Sequence, residues 1–175
     1  DEVEKVKEEI RRLLKRLEDS TRDVERRLEE LLRESTESSK EVEERLKRLL
    51  DEVRKKLKDK KDDVRRVEEE VRKLAERSRE SLERNRRRVE KLMKESRDSL
   101  REVEKRAKEV EKLLDDGKDV KKVLEELREL VRKHEELNRK LLEEVRESSE
   151  RHKKLNKELV DEVKRLAEKI TEEAR

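Results

Sequence analysis

Apolar residues recur along this chain so that the same helical face returns every 18 residues, which is five turns of a 3.6-residue helix. Near the start, Val6, Val24 and Val42 correspond, and so do the doublets Leu13-Leu14, Leu31-Leu32 and Leu49-Leu50. Further along, Val71 matches Val89, and Leu74 matches Leu92 and Val110. In the last third, Leu124, Leu142 and Val160 correspond, as do Leu127, Val145 and Val163. A strict heptad would impose a left-handed supercoil, whereas this period keeps helices nearly straight.

Three segments begin alike, at Val3–Val6, Val64–Val67 and Val120–Val123. Asp63 and Asp119 each precede the first apolar residue, where an aspartate suits a helix N-cap. Before the third start, Asp115-Asp116-Gly117-Lys118 places glycine where a helix end favours a left-handed residue. Before the second, Lys58-Asp59-Lys60-Lys61-Asp62 has no glycine, and the break there is weaker. The pattern predicts helices over about 3–57, 64–114 and 120–174, with turns at about 58–63 and 115–119. Near-equal lengths fit one all-α domain spanning 1–175, a straight, coiled-coil-like, up-down-up antiparallel three-helix bundle.

Composition sharpens this picture. Charged residues make up 61% of the chain and aromatics 0%, against about 25% charged in an average soluble domain. Such charge can signal disorder, but the strict periodicity of Leu, Val and Ile argues for folded helices whose surfaces are built from strong helix formers. The 55 basic and 52 acidic residues nearly balance, so no nucleic-acid partner is expected. The basic run Arg84-Asn85-Arg86-Arg87-Arg88 follows Glu80 and Glu83 by one turn and reads as a solvated helix face. No stretch approaches the roughly 20 apolar residues of a membrane span, so no membrane partner is expected. No signal peptide is expected either, and localisation is left open. The absence of cysteine excludes disulfides and zinc–thiolate sites.

Polar residues interrupt the apolar stripes at chosen places. Folded about turns near 60 and 117, they fall into three layers. One holds Ser20, Thr21, Ser96, Ser99, His134 and Asn138. A second, 18 positions nearer the first turn, holds Ser38, Ser39, Ser78, Ser81, His152 and Asn156. Between them lie Ser35, Thr36, Asn85, Ser148 and Ser149. Ser20, Thr36 and Ser38 sit at the stripe's edge and the rest within it. The coincidence favours the weak break near Lys60, since one helix from 3 to 114 could not align the layers within a chain. Hydroxyls, amides and neutral imidazoles both donate and accept, so they can close networks without buried charge. An unpaired buried group costs about 1–3 kcal/mol, so each layer penalises wrong alignments.

Serine beside histidine invites a nucleophile–base reading. No Asp or Glu joins them among the core positions, and neither cleft nor oxyanion hole is implied, so no catalytic residue, cofactor or small-molecule substrate is expected. His134 and His152 lie roughly 27 Å apart along one helix, too far to share a metal within one chain. Only symmetry-related histidines from several chains could do so. A buried neutral histidine has a lowered pKa, so both are candidate pH sensors: their contribution is intact above the unfolded value of about 6.5 and is lost as pH falls below it.

At this point the chain resembles computationally designed helical bundles with buried hydrogen-bond networks. The repeated His134/Asn138 and His152/Asn156 pairs are similar to those of pH-responsive designed oligomers. The resemblance is one of architecture and covers the whole chain. It implies no natural biochemical activity. It implies a structural or assembly protein whose networks set register and partner specificity, with pH-dependent disassembly through the histidines. Core positions number about six, seven and eight per 18 residues in the three helices, on stripes of roughly 100°, 120° and 140°. The breadth of the third stripe suggests an inner helix. Association with another copy or a designed helical partner is therefore expected, as a larger oligomeric bundle or the three-helix half of a heterodimer. The alternative is a freestanding three-helix monomer without switching. A natural spacer of spectrin-like kind is disfavoured by the missing aromatics and the matched layers.

Overall fold

A computed structural model describes residues 1–174. It is all-helical among those residues, with α1 Glu2–Lys56, α2 Lys61–Asp115 and α3 Lys121–Glu173 packed against one another pairwise. α1 starts from Asp1, whose carbonyl accepts from the Lys5 amide and whose carboxylate accepts from that of Val3.

The two turns are built differently. After α2, Gly117 takes φ +71°, and two backbone bonds close around it: the Gly117 amide donates to the Leu114 carbonyl and the Lys118 amide to that of Leu113. This is a Schellman closure, and it satisfies carbonyls that the helix end would otherwise orphan. Asp119 follows, and its carboxylate accepts from the Lys121 amide at 3.1 Å, while the Val120 carbonyl takes the first α3 bond from Leu124. The first turn has no left-handed residue. The Lys60 amide donates to the Leu57 carbonyl, and the Lys60 carbonyl accepts from the Val64 amide. Lys60 is thus the N-cap, and α2 begins at Lys61 rather than near 64. Asp62 and Asp63 lie inside the first helical turn, where carboxylates are favoured by the exposed amides. The basic residues Arg54, Lys55 and Lys56 complement the carbonyl end of α1.

The chain forms two compact units: residues 1–29 with 89–145, and residues 30–88 with the described residues from 146 onward. The first unit is organised around Ile10 and Leu17 of α1, Val103 and Val110 of α2, and Leu127 and Val131 of α3. Its ion pairs give the helix directions. Glu9–Arg128 and Arg16–Glu135 share a sequence separation of 119, as parallel helices require. Lys7–Asp115 and Glu25–Arg97 are separated by 108 and 72, shrinking along α1 as antiparallel helices require.

Two apolar clusters lie in the second unit among the described residues. One holds Val42, Leu46, Leu74, Leu159 and Val163, and the other holds Val53, Leu57, Val67 and Ile170. Here Glu34–Lys153 again spans 119, and the α1–α2 pairs shrink from 36 for Glu43–Arg79 to 14 for Arg54–Glu68. Each unit is therefore a three-helix bundle with α1 parallel to α3 and α2 antiparallel to both. Burying one Leu or Ile side chain contributes about 1.5–3 kcal/mol. No large hydrophobic side chain is exposed among the described residues. More buried positions lie on α3 than on α1 or α2, in line with its broader stripe.

Candidate functional site

In the first unit the polar positions converge on His134, which is 1% exposed. The Thr21 hydroxyl lies 2.8 Å from Nε2 and the Ser99 hydroxyl 2.8 Å from Nδ1. Asn138, one turn along α3, places Nδ2 3.3 Å from Nε2 and accepts from the Ser96 hydroxyl at 2.6 Å. The Asn138 amide can only donate from Nδ2, so Nε2 must accept. The imidazole is then the neutral Nδ1–H tautomer, donating to Ser99. Ser20 stays half-buried beside Val24 and Leu142, and no hydrogen bond joins it to the network.

The second unit repeats this arrangement and extends it. His152, 2% exposed, has Ser39 Oγ 2.9 Å from Nε2 and Ser81 Oγ 2.7 Å from Nδ1. Asn156 places Nδ2 3.2 Å from Nε2 and 2.9 Å from Ser38 Oγ, to which it donates, while its carbonyl accepts from Ser78 at 2.7 Å. Ser39 also touches Ser78 at 3.2 Å. The same donor logic assigns the Nδ1–H tautomer. Each residue here is the 18-residue counterpart of one in the first unit, with Ser39 standing for Thr21.

A further network in the second unit has Asn85 as its hub. Asn85 Nδ2 donates to Ser35 at 2.9 Å and Ser149 at 3.4 Å, and Oδ1 accepts from Ser148 at 2.7 Å. Ser35 in turn donates to the Leu31 carbonyl. Thr36 does not join: its hydroxyl donates to the Leu32 carbonyl at 2.9 Å on its own helix. This backward bond is the alternative open to a helical Ser or Thr near the stripe's edge. No buried side-chain nitrogen or oxygen lacks a partner among the described residues.

Burial pushes the pKa of both rings down, because desolvation disfavours the cation. Glu135 partly opposes this at His134. At His152 the Ser35 backbone carbonyl opposes it and Arg84 adds to it. No carboxylate hydrogen-bonds to either ring in these networks. Both ring nitrogens are filled by hydroxyls and amides, so the arrangement can store hydrogen bonds and take up protons. No group of three His, Cys, Asp or Glu side chains converges on one point among the described residues. No helix among them is long and apolar enough to cross a membrane.

The four arginines of the basic run are exposed, with Glu83 near Arg86 at 3.8 Å and Arg87 at 3.5 Å, but Asn85 within the run is buried and so is not part of a solvated face. Sequence reasoning missed the interhelical ion pairs. Their signal was present in the common separation of 119 between Glu9, Arg16 and Glu34 and their partners Arg128, Glu135 and Lys153. Comparison with family models, curated proteins and solved structures returned no significant match.

Proposed function

We propose that this chain is a de novo structural bundle. Its buried networks fix which helix positions meet, and its stability falls in acid as His134 and His152 take up protons. The observation that carries the reading is the closure of buried hydroxyls and amides on two neutral imidazoles, repeated at an 18-residue interval, with no buried side-chain polar atom left unpaired among the described residues. The role is structural rather than catalytic: the networks penalise misalignment, and the histidines tie that penalty to pH.

The sign follows from the lowered pKa values. The folded state binds fewer protons than the unfolded one, so the contribution is complete above the unfolded value of about 6.5, declines as pH falls below it, and is gone once pH is below the folded-state values. Each histidine supplies at most about 1.4 kcal/mol per pH unit. The test is guanidinium denaturation at pH near 7.5 and near 4.5 for the parent and for the double variant His134→Asn, His152→Asn. A smaller acid loss in the double variant is expected. Equal acid sensitivity would assign the effect to carboxylates and overturn the reading.

Association with another copy or a helical partner is a second reading. Ser20, half-buried at the α1–α3 edge of the first unit without a hydrogen bond, favours it. That no large hydrophobic is exposed among the described residues favours the freestanding form. Light scattering of the pure chain distinguishes them: the mass of a single 21.4 kDa chain at all concentrations would exclude self-association.

A further inference from the structure

The two histidine networks share a plan but differ in how many protons they can use. In the first, the neutral state is complete: Nδ1–H donates to Ser99, Thr21 donates to Nε2, and Ser96 donates to Asn138. A proton added to Nε2 reverses the bond to Thr21. The Thr21 hydroxyl hydrogen then has no other acceptor in the network and must turn out of it, toward a carbonyl of its own helix as Thr36 does, since Thr21 is only 4% exposed.

In the second network the neutral state is one proton short. Ser78 gives its hydrogen to Asn156, and Ser39 has a single hydrogen for two neighbours, Nε2 at 2.9 Å and Ser78 at 3.2 Å. If Ser39 serves the ring, the Ser39–Ser78 contact holds two oxygens and no hydrogen. Protonating Nε2 removes this conflict. The ring then donates to Ser39, Ser39 turns to Ser78, and Ser78 donates to the Asn156 carbonyl, an unbroken chain from the cation to an amide oxygen. The cost is one contact, the Asn156 amide against Nε2 at 3.2 Å, and that amide keeps Ser38 as acceptor. In the first network the Asn138 amide faces the same conflict without a seryl acceptor beyond it.

We infer that His152 is the site where the folded chain accepts a proton and His134 is the site that must lose its network to do so, the difference being set by the Ser39–Ser78 contact. This rests on the proposed acid response and assigns its order. The surrounding charges are few. His134 has Glu135 beside it on α3, already paired with Arg16 of α1, while Glu25 of α1 and Arg97 of α2 pair near Thr21. His152 has Arg84 on α2, the Lys153–Glu34 pair between α3 and α1, and the Arg79–Glu43 pair between α2 and α1. Arg84 and Glu135 both work against the inferred order. The Ser35 carbonyl works for it, as an acceptor facing the His152 ring.

The experiment is a pH titration of the two imidazoles in the intact chain by long-range nitrogen–proton NMR, with resonances assigned by His134→Asn and His152→Asn. Both rings are expected as Nδ1–H tautomers at neutral pH. On acidification His152 is expected to protonate while the fold persists, with roughly tenfold or more higher proton affinity than His134. His134 should change only as its surroundings open. Ser78→Ala should lower the His152 midpoint and leave that of His134 in place. Coincident titration, the reverse order, both rings staying neutral until unfolding, or an unmoved His152 in Ser78→Ala would each overturn the inference. A reversed order combined with a reduced acid loss in the double variant would sink this assignment alone. An unchanged acid loss in that variant would sink the acid response itself.

Discussion

Asn85 is the residue whose removal tests the network argument most directly. Three hydroxyls depend on it, but not equally. Ser35 keeps the Leu31 carbonyl, and Ser148 is half-buried and can turn to water. Ser149 is 1% exposed, and its bond to Asn85 is the one it makes. Asn85→Ala therefore strands one buried hydroxyl, costing about 1–3 kcal/mol, and deletes the Ser148 and Ser35 bonds at about 0.5–1.5 kcal/mol each, part of which water and the Leu31 carbonyl return. The net loss is expected at about 2–4 kcal/mol, read as a guanidinium midpoint lower by roughly 0.5–1 M. A companion variant separates lost bonds from stranded groups. Asn85→Leu with Ser35→Ala and Ser149→Ala removes the demand along with the supply, and its stability should equal or exceed that of the parent. A loss under about 0.5 kcal/mol for Asn85→Ala would refute the reasoning, since it would mean the buried hydroxyl carries no appreciable desolvation cost. A combined variant as weak as the single one would refute it too.

Other outcomes follow from the same structure. Gly117→Ala should cost about 1 kcal/mol by denaturation although a Cβ there meets nothing within 4 Å, because the price is the left-handed backbone at φ +71° rather than a clash. Leu17→Ala, at a site with 0% exposure, should cost about 2–5 kcal/mol, while Leu14→Ala on the half-buried edge should cost clearly less by the same assay. Arg128→Ala breaks a two-pronged contact to Glu9 on a partly exposed surface and should cost no more than about 1 kcal/mol, shrinking further in high salt.

The periodicity made the helices and their facing residues legible, because a buried stripe must repeat with the turn of the helix. The Gly117 turn was legible for a local reason: one residue type tolerates that backbone. The other turn was displaced by three residues because Asp62 and Asp63 suit the first helical turn as well as they suit a cap. Which polar residues meet was readable from their level in the bundle. How each hydroxyl spends its hydrogen was not. Ser20 and Ser38 are equivalent by the repeat, yet only Ser38 reaches an asparagine. Thr36 falls level with Asn85 but bonds along its own helix. These differences lie in which way each hydroxyl at the stripe's edge turns, and no residue pattern records that.

The repetition of the histidine networks has a consequence for information. Two inscriptions 18 residues apart that match in all but one residue, Thr21 against Ser39, poorly tell a helix where it is, since one that slid by a full repeat would bring Thr21 level with the counterpart of its own partner. The Asn85 row is written once. A slide of 18 residues sets Asn85 against Leu17 or Val53 on α1 and exchanges Ser149 for Val131 or Ala167 on α3. Within the intact chain the short turns forbid such a slide. In a chain nicked at both turns, the address of each helix would rest on a single asparagine.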